Sequence, residues 1–302
     1  MSDAPAEHIP VLVQPVRALL NVVEGEVVLD ATVGLAGHAR MLGEAVGLRG
    51  QLIGIDADAG HLELAARRLE GGPFRFRLFH ANFARIDEVL REAGVETVNV
   101  ILADLGASSV QLNDPARGFS FQAGGPLDMR MDLTSPRTAA DLVNGLREEE
   151  LSDLIYFGSQ ERFSRKIARR ICEVRRDRRI TTTDELCRVV CDALGVDPQS
   201  RASKIHPATR TFMALRMAVN DEGTALRTLL NKTPGCLKPG GRIGIIAFHS
   251  VEDAVVKSDF AGRKQSGEYR LLTKRPVIAD SQEREVNPRS RSAKLRVAQK
   301  IR

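Results

Sequence analysis

The residues best placed to do chemistry lie in one stretch, 101–132, which reads ILADLGASSVQLNDPARGFSFQAGGPLDMRMD. An apolar run, Val98 to Leu102, leads into Asp104, and Gly106, Ala107, Ser108 and Ser109 follow at once. Small residues after a buried strand let backbone and ligand approach closely. A carboxylate at a strand's carboxyl end sits where open α/β sheets bind ligands. Gln111, Asn113 and Asp114 come next without a helical stripe, then Phe119 and Phe121 beside Arg117. In a chain with 4% aromatics, two of them flanked by arginine read as a stacking platform for a base, or as two anchors of a surface loop.

A second group precedes it. Asp30, Gly34 and Gly37 lie in LDATVGLAGHA, where a strand turns into a helix. Glycines there let a nucleotide reach the backbone at a helix N-terminus. GLAG is not the GxGxxG fingerprint. Asp56 ends the next predicted strand, where an acid accepts both ribose hydroxyls; an NAD enzyme would place one similarly, so spacing leaves the cofactor open. The alternative for Asp56 is a cap for a helix starting near His61. Asn82 and Phe83 follow the third strand, where an adenine can lie against an aromatic. His38 reads as a ligand contact or a cap, and His249, in FHSVED, as a general base or a structural hydrogen-bonder.

These residues require a sheet to position them. A leading segment from His8 to Leu12 and a helix through Val16, Leu19 and Leu20 come first. Strands are predicted at 26–34, 51–56, 76–81 and 98–102, with helices at 38–46, 61–69 and 86–90 between them. That alternation argues for parallel βαβ units. From about 113 to 216 no buried strand is legible. Phe163, Ile167, Ile171 and Val174 make a helical stripe, with Arg165, Lys166, Arg169, Arg170, Arg175 and Arg176 on other faces. Thr182 and Glu185 have capping-box spacing. The α/β pattern resumes with a helix through Leu226, Leu229 and Leu230, a PGG turn at 239–241 and a strand at 242–248. Segments 269–273 and 294–300 suit an antiparallel pair. The expected organisation is an α/β domain, 1–112 plus 217–302, interrupted by an all-helical insertion, 113–216.

The chain has 302 residues, enough for one large domain or two. With 44 basic and 39 acidic residues its net charge is +5, compatible with a nucleic-acid partner and no proof of one. Cys172, Cys187, Cys191 and Cys236 form no CxxC pair and no metal-ligand spacing with histidine, so buried thiols and no metal are expected. No stretch reads as a signal peptide or a membrane span, which makes a cytoplasmic setting and no membrane partner the expectation.

DLGASSVQLNDPARGFSF with PLDMRMD closely resembles the bacterial small-subunit (16S) ribosomal RNA cytosine-N4 methyltransferases. The resemblance continues through TAADLVN (138–144), ERFSRKIARRI (161–171), ATRTFMALRMAVNDE (208–222), GGRIGIIAFHSVED (240–253) and NPRSRSAKLR (287–296). It implies a Rossmann-like class I AdoMet-dependent methyltransferase sheet with S-adenosyl-L-methionine as cofactor. The small ribosomal subunit would be the partner and a cytidine N4 near its decoding site the target; a homodimer stays open. Carried over position by position, the cofactor would meet Ala36, Gly37, His38, Asp56, Phe83, Asp104 and Gln111. Asp104, Ser108 and Ser109 would serve catalysis. Phe119, Phe121, Arg130, His249, Arg289 and Arg291 would meet RNA. The cytosine amine is a poor nucleophile, so alignment and a hydrogen-bond acceptor at Asp104 would matter most. The family's usual DGTFGxGGH is here DATVGLAGH, with Ala31, Val33 and Ala36 for Gly, Phe and Gly. A Cβ at position 36 would hinder the ligand unless φ there is negative. Met213, Ser159-Gln160 and Ala254 are further departures. Two alternatives follow: methylation of another RNA or DNA amino group, and a non-catalytic ribosome-binding relative.

Overall fold

Short apolar runs that end in an acid build the sheet, and helices with one apolar face close over it. The computed structural model describes residues 9–198 and 205–302, so His8 lies outside the described residues. In chain order come α1 (Val13–Leu20), β1 (Val27–Asp30), α2 (Gly37–Val46), β2 (Gln51–Asp56), α3 (Ala59–Leu69), β3 (Arg75–His80), α4 (Ile86–Glu92) and β4 (Val98–Asp104). An all-helical run follows: α5 (Ser109–Asn113), α6 (Ala139–Gly145), α7 (Glu148–Ser159), α8 (Ser164–Asp177), α9 (Thr183–Leu194) and α10 (Thr209–Val219). The chain then returns through α11 (Glu222–Cys236), β5 (Leu237–Ala247), α12 (Ser250–Gln265), β6 (Tyr269–Leu271), α13 (Ser281–Val286) and β7 (Lys294–Lys300).

The strand order is β3-β2-β1-β4-β5-β7-β6. The first five in that order run parallel, while β7 is antiparallel to both β5 and β6. This is a doubly wound α/β sheet, and the order reverses direction between β1 and β4, where such sheets bind ligands. Alternate strand residues feed two cores. Val28, Leu52, Val100 and Leu295 pack with α1, α2 and α3 on one face. Leu29, Ile53, Ile101 and Ile243 pack with α4, α11 and α12 on the other.

Most strand bounds lie within two residues of the sequence reading, and β1 and β5 depart further. β1 stops at Asp30, because Thr32 N–H turns back to Asp30 Oδ1 at 3.1 Å instead of continuing the ladder. The PGG at 239–241 is not a turn before a strand but a bulge inside β5. The register against β4 jumps from Val98↔Leu237 to Val100↔Arg242, and Gly240 takes φ +79°. Helix α3 is capped by Asp58, whose carboxylate accepts Gly60 N–H, so Asp56 is not its cap.

The chain divides into two compact units, 1–106 with 224–302 and 107–223. The helical unit starts earlier and ends later than 113–216 because both its edges are tied locally. Ser108 and Gln111 form a capping box on α5, and Arg216 holds Glu222 through two 2.8 Å bonds. Its core comprises residues such as Leu142, Leu151, Ile155, Ile167, Ile171, Leu186, Val190 and Leu215.

Candidate active site at the carboxyl ends of the strands

In the α/β unit the ends of β1, β2 and β4 each deliver an aspartate, and the turn after β1 knits them together. Asp30 Oδ1 accepts Thr32 N–H at 3.1 Å, and Thr32 Oγ1 accepts Asp104 N–H at 2.6 Å. Asp56 Oδ2 accepts Gly34 N–H at 2.6 Å and Oδ1 accepts Asp58 N–H at 2.8 Å, and His61 Nδ1 lies 3.4 Å from that same Oδ1. Asp56 therefore holds the glycine turn. Gly34 has φ +51° and Ala36 φ +65°, both left-handed. The condition of negative φ at Ala36 is not met.

Gly37 has a second reason to lack a side chain: a Cβ there would come 2.8 Å from Pro10 Cγ. The leading segment thus packs directly on the start of α2. His38 is buried and is no cap, since the N-cap of α2 is Ala36. His38 Nε2 lies 2.8 Å from Val11 O, so that nitrogen carries the proton and donates. Its Nδ1 lone pair then faces Asp104 Oδ2 at 3.5 Å.

Burial pushes Asp104 up to about 7; the Arg289 charge opposes the rise and Glu252 adds to it. One Asp104 oxygen, Oδ1, is fully buried, although 20% of the side chain is accessible, and that wet edge works against the rise. Burial also pushes Asp30 up to about 7, partly offset by His38 and by the Thr32 N–H. Burial drives His38 down. Both partners of the His38–Asp104 contact thus favour their uncharged forms, a protonated carboxyl against a neutral imidazole. Asp30 Oδ2 and Asp104 Oδ1 are buried with no hydrogen-bond partner among the described residues.

Phe83 opens a short 3₁₀ turn after β3, capped by Asn82, and is half-buried. His249 is the N-cap of α12: Nδ1 accepts Glu252 N–H at 3.4 Å, and Nε2 lies 3.0 Å from Glu252 Oε1. Glu252 Oε2 in turn accepts Phe248 N–H at 3.0 Å. That is the structural role. Arg289 and Arg291 sit on a 3₁₀ turn before β7, Arg289 half-buried within reach of Asp104's charge and Arg291 exposed.

The remaining expected residues belong to the helical unit. Ser108 Oγ accepts Gln111 N–H and Gln111 Oε1 accepts Ser108 N–H, so both cap α5. Ser109 is its half-buried first residue. Phe119 does not offer a stacking face: it is buried in the unit's core, with Arg117 over its ring. Phe121 is half-buried between His206 and Phe212, at centroid distances of 4.5 and 4.9 Å. Arg130 is not held out to solvent. It pairs with Asp128 through two 2.8 Å bonds and donates to the carbonyls of Leu133 and Ser135.

The residues that shape this loop were not legible in the sequence. Asn220 accepts Met131 N–H and donates to Met129 O, pinning a segment in which Met129 has φ +65°. Arg117 adds bonds to the carbonyls of Arg130 and Met131. Glu252 and Thr32 were missed likewise, whereas Asp30 was visible as the acid closing β1. All four cysteines are buried, as expected, and the fold sets a histidine beside two of them. Cys187, Cys191 and His206 bring their ligand atoms within 4.8 Å of one another, a grouping hidden because the histidine follows from a separate segment. Both His206 nitrogens already meet backbone, Pro198 O at 2.9 Å and Ala208 N–H at 3.2 Å, so a metal would have to displace one. Burial pushes the Cys187 thiol up to about 12. No helix among the described residues is long and apolar enough to cross a membrane.

The chain is similar to known proteins along nearly its whole length. Ribosomal RNA small subunit methyltransferase H of Koribacter versatilis is 46% identical over 299 residues, covering 96% of this chain and 93% of the relative. The proteins so named from Cyanothece sp. and Syntrophobacter fumaroxidans are 45% and 44% identical. They cover 97% and 99% of this chain, and 95% and 98% of their own lengths. Residues 5–301 match the sequence model of the MraW methylase family, and the chain belongs to that family.

Proposed function

We propose that the protein transfers a methyl group from S-adenosyl-L-methionine to N4 of a cytidine in 16S ribosomal RNA, near the decoding site of the small subunit. One observation carries this reading to the residue level. Asp104 ends β4 at the reversal of strand order with a buried, unpartnered carboxyl oxygen, in a chain whose full length belongs to a methylase family.

The donor set suits the cofactor. A sulfonium and an α-ammonium are cations, and the carboxyl groups of Asp30, Asp56 and Asp104 converge at one end of the sheet, where a cation would favour their ionised forms. Asp56 retains lone pairs for ribose hydroxyls while its turn contacts persist. Phe83 offers a half-buried ring beyond β3. When bound, S-adenosyl-L-methionine supplies an activated methyl on a leaving group that departs neutral.

The chain's own task is then the amine. Asp104 accepts a hydrogen bond from N4, which turns the nitrogen lone pair out of conjugation with the ring. As the new N–C bond forms, N4 must shed a proton, and Asp104 in its ionised form takes it. A carboxyl poised at about 7 is suited to that transfer near neutral pH. His38 fixes the orientation of Asp104 from one side, and Arg289 supplies compensating charge. The cytidine must leave its neighbours to be reached. An enzyme with this substrate would work in the cytoplasm.

The test uses unmethylated small subunits and labelled S-adenosyl-L-methionine, with the RNA digested to nucleosides and separated by mass. N4-methylcytidine forms with wild type and is lost in Asp104→Ala. A different methylated nucleoside would reassign the target, and no transfer despite cofactor binding would overturn the substrate.

A further inference from the structure

The chain has eleven Phe and two Tyr. Three of these thirteen rings are exposed: Tyr156 at 48%, Phe157 at 71% and Phe163 at 59%. All three lie within eight residues, on the last turn of α7 and in the turn that leads into α8. Their neighbours Ile155 and Ile167 are fully buried, so the local core is complete without them. Exposed rings cost free energy in water and favour aggregation, so their confinement to one corner calls for a partner.

The corner is held rigidly. Gln160 ends α7 in the left-handed conformation, φ +57°. Glu161 is buried, accepts Phe163 N–H at 3.0 Å and pairs with Arg210 at 3.6 Å. Gly158 lets α7 lie against α10, where a Cβ would come 2.9 Å from Ala214 Cβ. The rings are therefore presented from a fixed frame.

Charge says what they face. Arg165, Lys166 and Arg169 stand exposed along the first turns of α8, and Arg162 stands exposed in the turn just before it. Arg169 has one long pair, 3.7 Å to Glu148; Arg162, Arg165 and Lys166 have no ion pair among the described residues. The acids of α7, Glu148 to Glu150 and Asp153, lie a turn or more back along the helix. Exposed rings beside unpaired cations are the makings of a single-strand nucleic-acid site: bases stack on the rings and phosphates meet the cations.

We propose that the α7–α8 corner, Tyr156, Phe157 and Phe163 with Arg162, Arg165 and Lys166, is a docking platform for unpaired bases of RNA. The proposal rests on ribosomal RNA being the substrate and names a surface, apart from the strand-end site, that takes hold of it. Two surface variants test it, Phe157→Ala with Phe163→Ala, and Arg165→Gln with Lys166→Gln, together with a Phe163→Trp variant that keeps a ring. Binding of an unstructured oligoribonucleotide is measured against salt, beside methyl-transfer kinetics on unmethylated subunits.

The ring-less variant should weaken oligoribonucleotide binding and raise KM for the subunit roughly tenfold or more. Its KM for S-adenosyl-L-methionine and its kcat should hold, and Phe163→Trp should bind as wild type does. The charge variant should flatten the slope of log affinity against log salt by about 0.7 for each cation removed. Unchanged oligoribonucleotide affinity and subunit KM in both variants would overturn the platform. So would variants that break up an oligomer in sedimentation while binding RNA normally, since the rings would then face a second copy. A wild type that binds the oligoribonucleotide through these residues and methylates no subunit keeps the platform and overturns the substrate.

Discussion

Ala36 caps α2 with φ +65° and ψ +18°, a conformation in which an L-residue's Cβ crowds the following carbonyl. It is kept there because Ala36 N–H bonds Val33 O at 2.8 Å, and Val33 and Gly34 are themselves tied to β2 and Asp56. The strain is on the order of 1 kcal/mol. Ala36→Gly should therefore raise the unfolding free energy by about that amount, read as a higher urea midpoint with the m-value unchanged; an equal or lower midpoint would show that the turn carries no strain. A sequence could show that Ala stands there but not the sign of φ, which depends on acceptors brought in by another strand. Asp30 yields a second prediction. Its folded carboxyl lies at about 7 against 3.8 unfolded, so the folded state holds the extra proton between those values. Stability then falls as pH rises from about 4 to about 7 and is flat above, with Asp104 contributing in the same direction. Asp30→Asn keeps the acceptor for Thr32 N–H and removes the titration. Its stability should fall less over that range than wild type's; parallel curves would reject the assignment.

Elements were read best where the signal is local. Thr182 and Glu185 form the capping box that their spacing announced, and the antiparallel pairing of 269–273 with 294–300 is found between β6 and β7. Elements were read less well where a distant partner decides. The PGG bulge exists because β5 must hold register with β4, and the pin at Asn220 acts on residues some ninety positions earlier. The candidate site divides the same way: an acid at a strand end was legible, whereas the burial of Phe119 and the fourfold engagement of Arg130 were not. His249 is the instructive case, because its two readings make different demands. As the cap of α12 it needs only an acceptor at Nδ1, which asparagine supplies. His249→Ala should cost about 1 kcal/mol, and His249→Asn only a few tenths. Methyl transfer by His249→Asn should stay near wild type. A large fall in kcat with stability intact would restore the histidine to the chemistry.

At the scale of the whole molecule, one sheet is made from both ends of the chain and one core from the middle. β4 can pair with β1 as soon as residue 104 is in place, but its other edge waits for β5, more than a hundred residues later. Much of the core on one face of the sheet waits as well: Leu226, Leu229, Ile243, Ile245, Val256 and Phe260 all follow the helical unit. A fragment ending at residue 106 would leave the unpaired edge of β4 and an open apolar face in water, and should be insoluble. The helical unit is in the opposite position. Every residue of its buried core lies between Ala107 and Leu215, its first and last helices are capped or bridged within it, and its size suits an independent domain. Excised as residues 107–223, it should give a helical circular-dichroism spectrum and a single sigmoidal urea transition. A broad, non-cooperative loss of signal would mean that the unit borrows its stability from the sheet. In that event, the folding order drawn from the two cores would have to be given up.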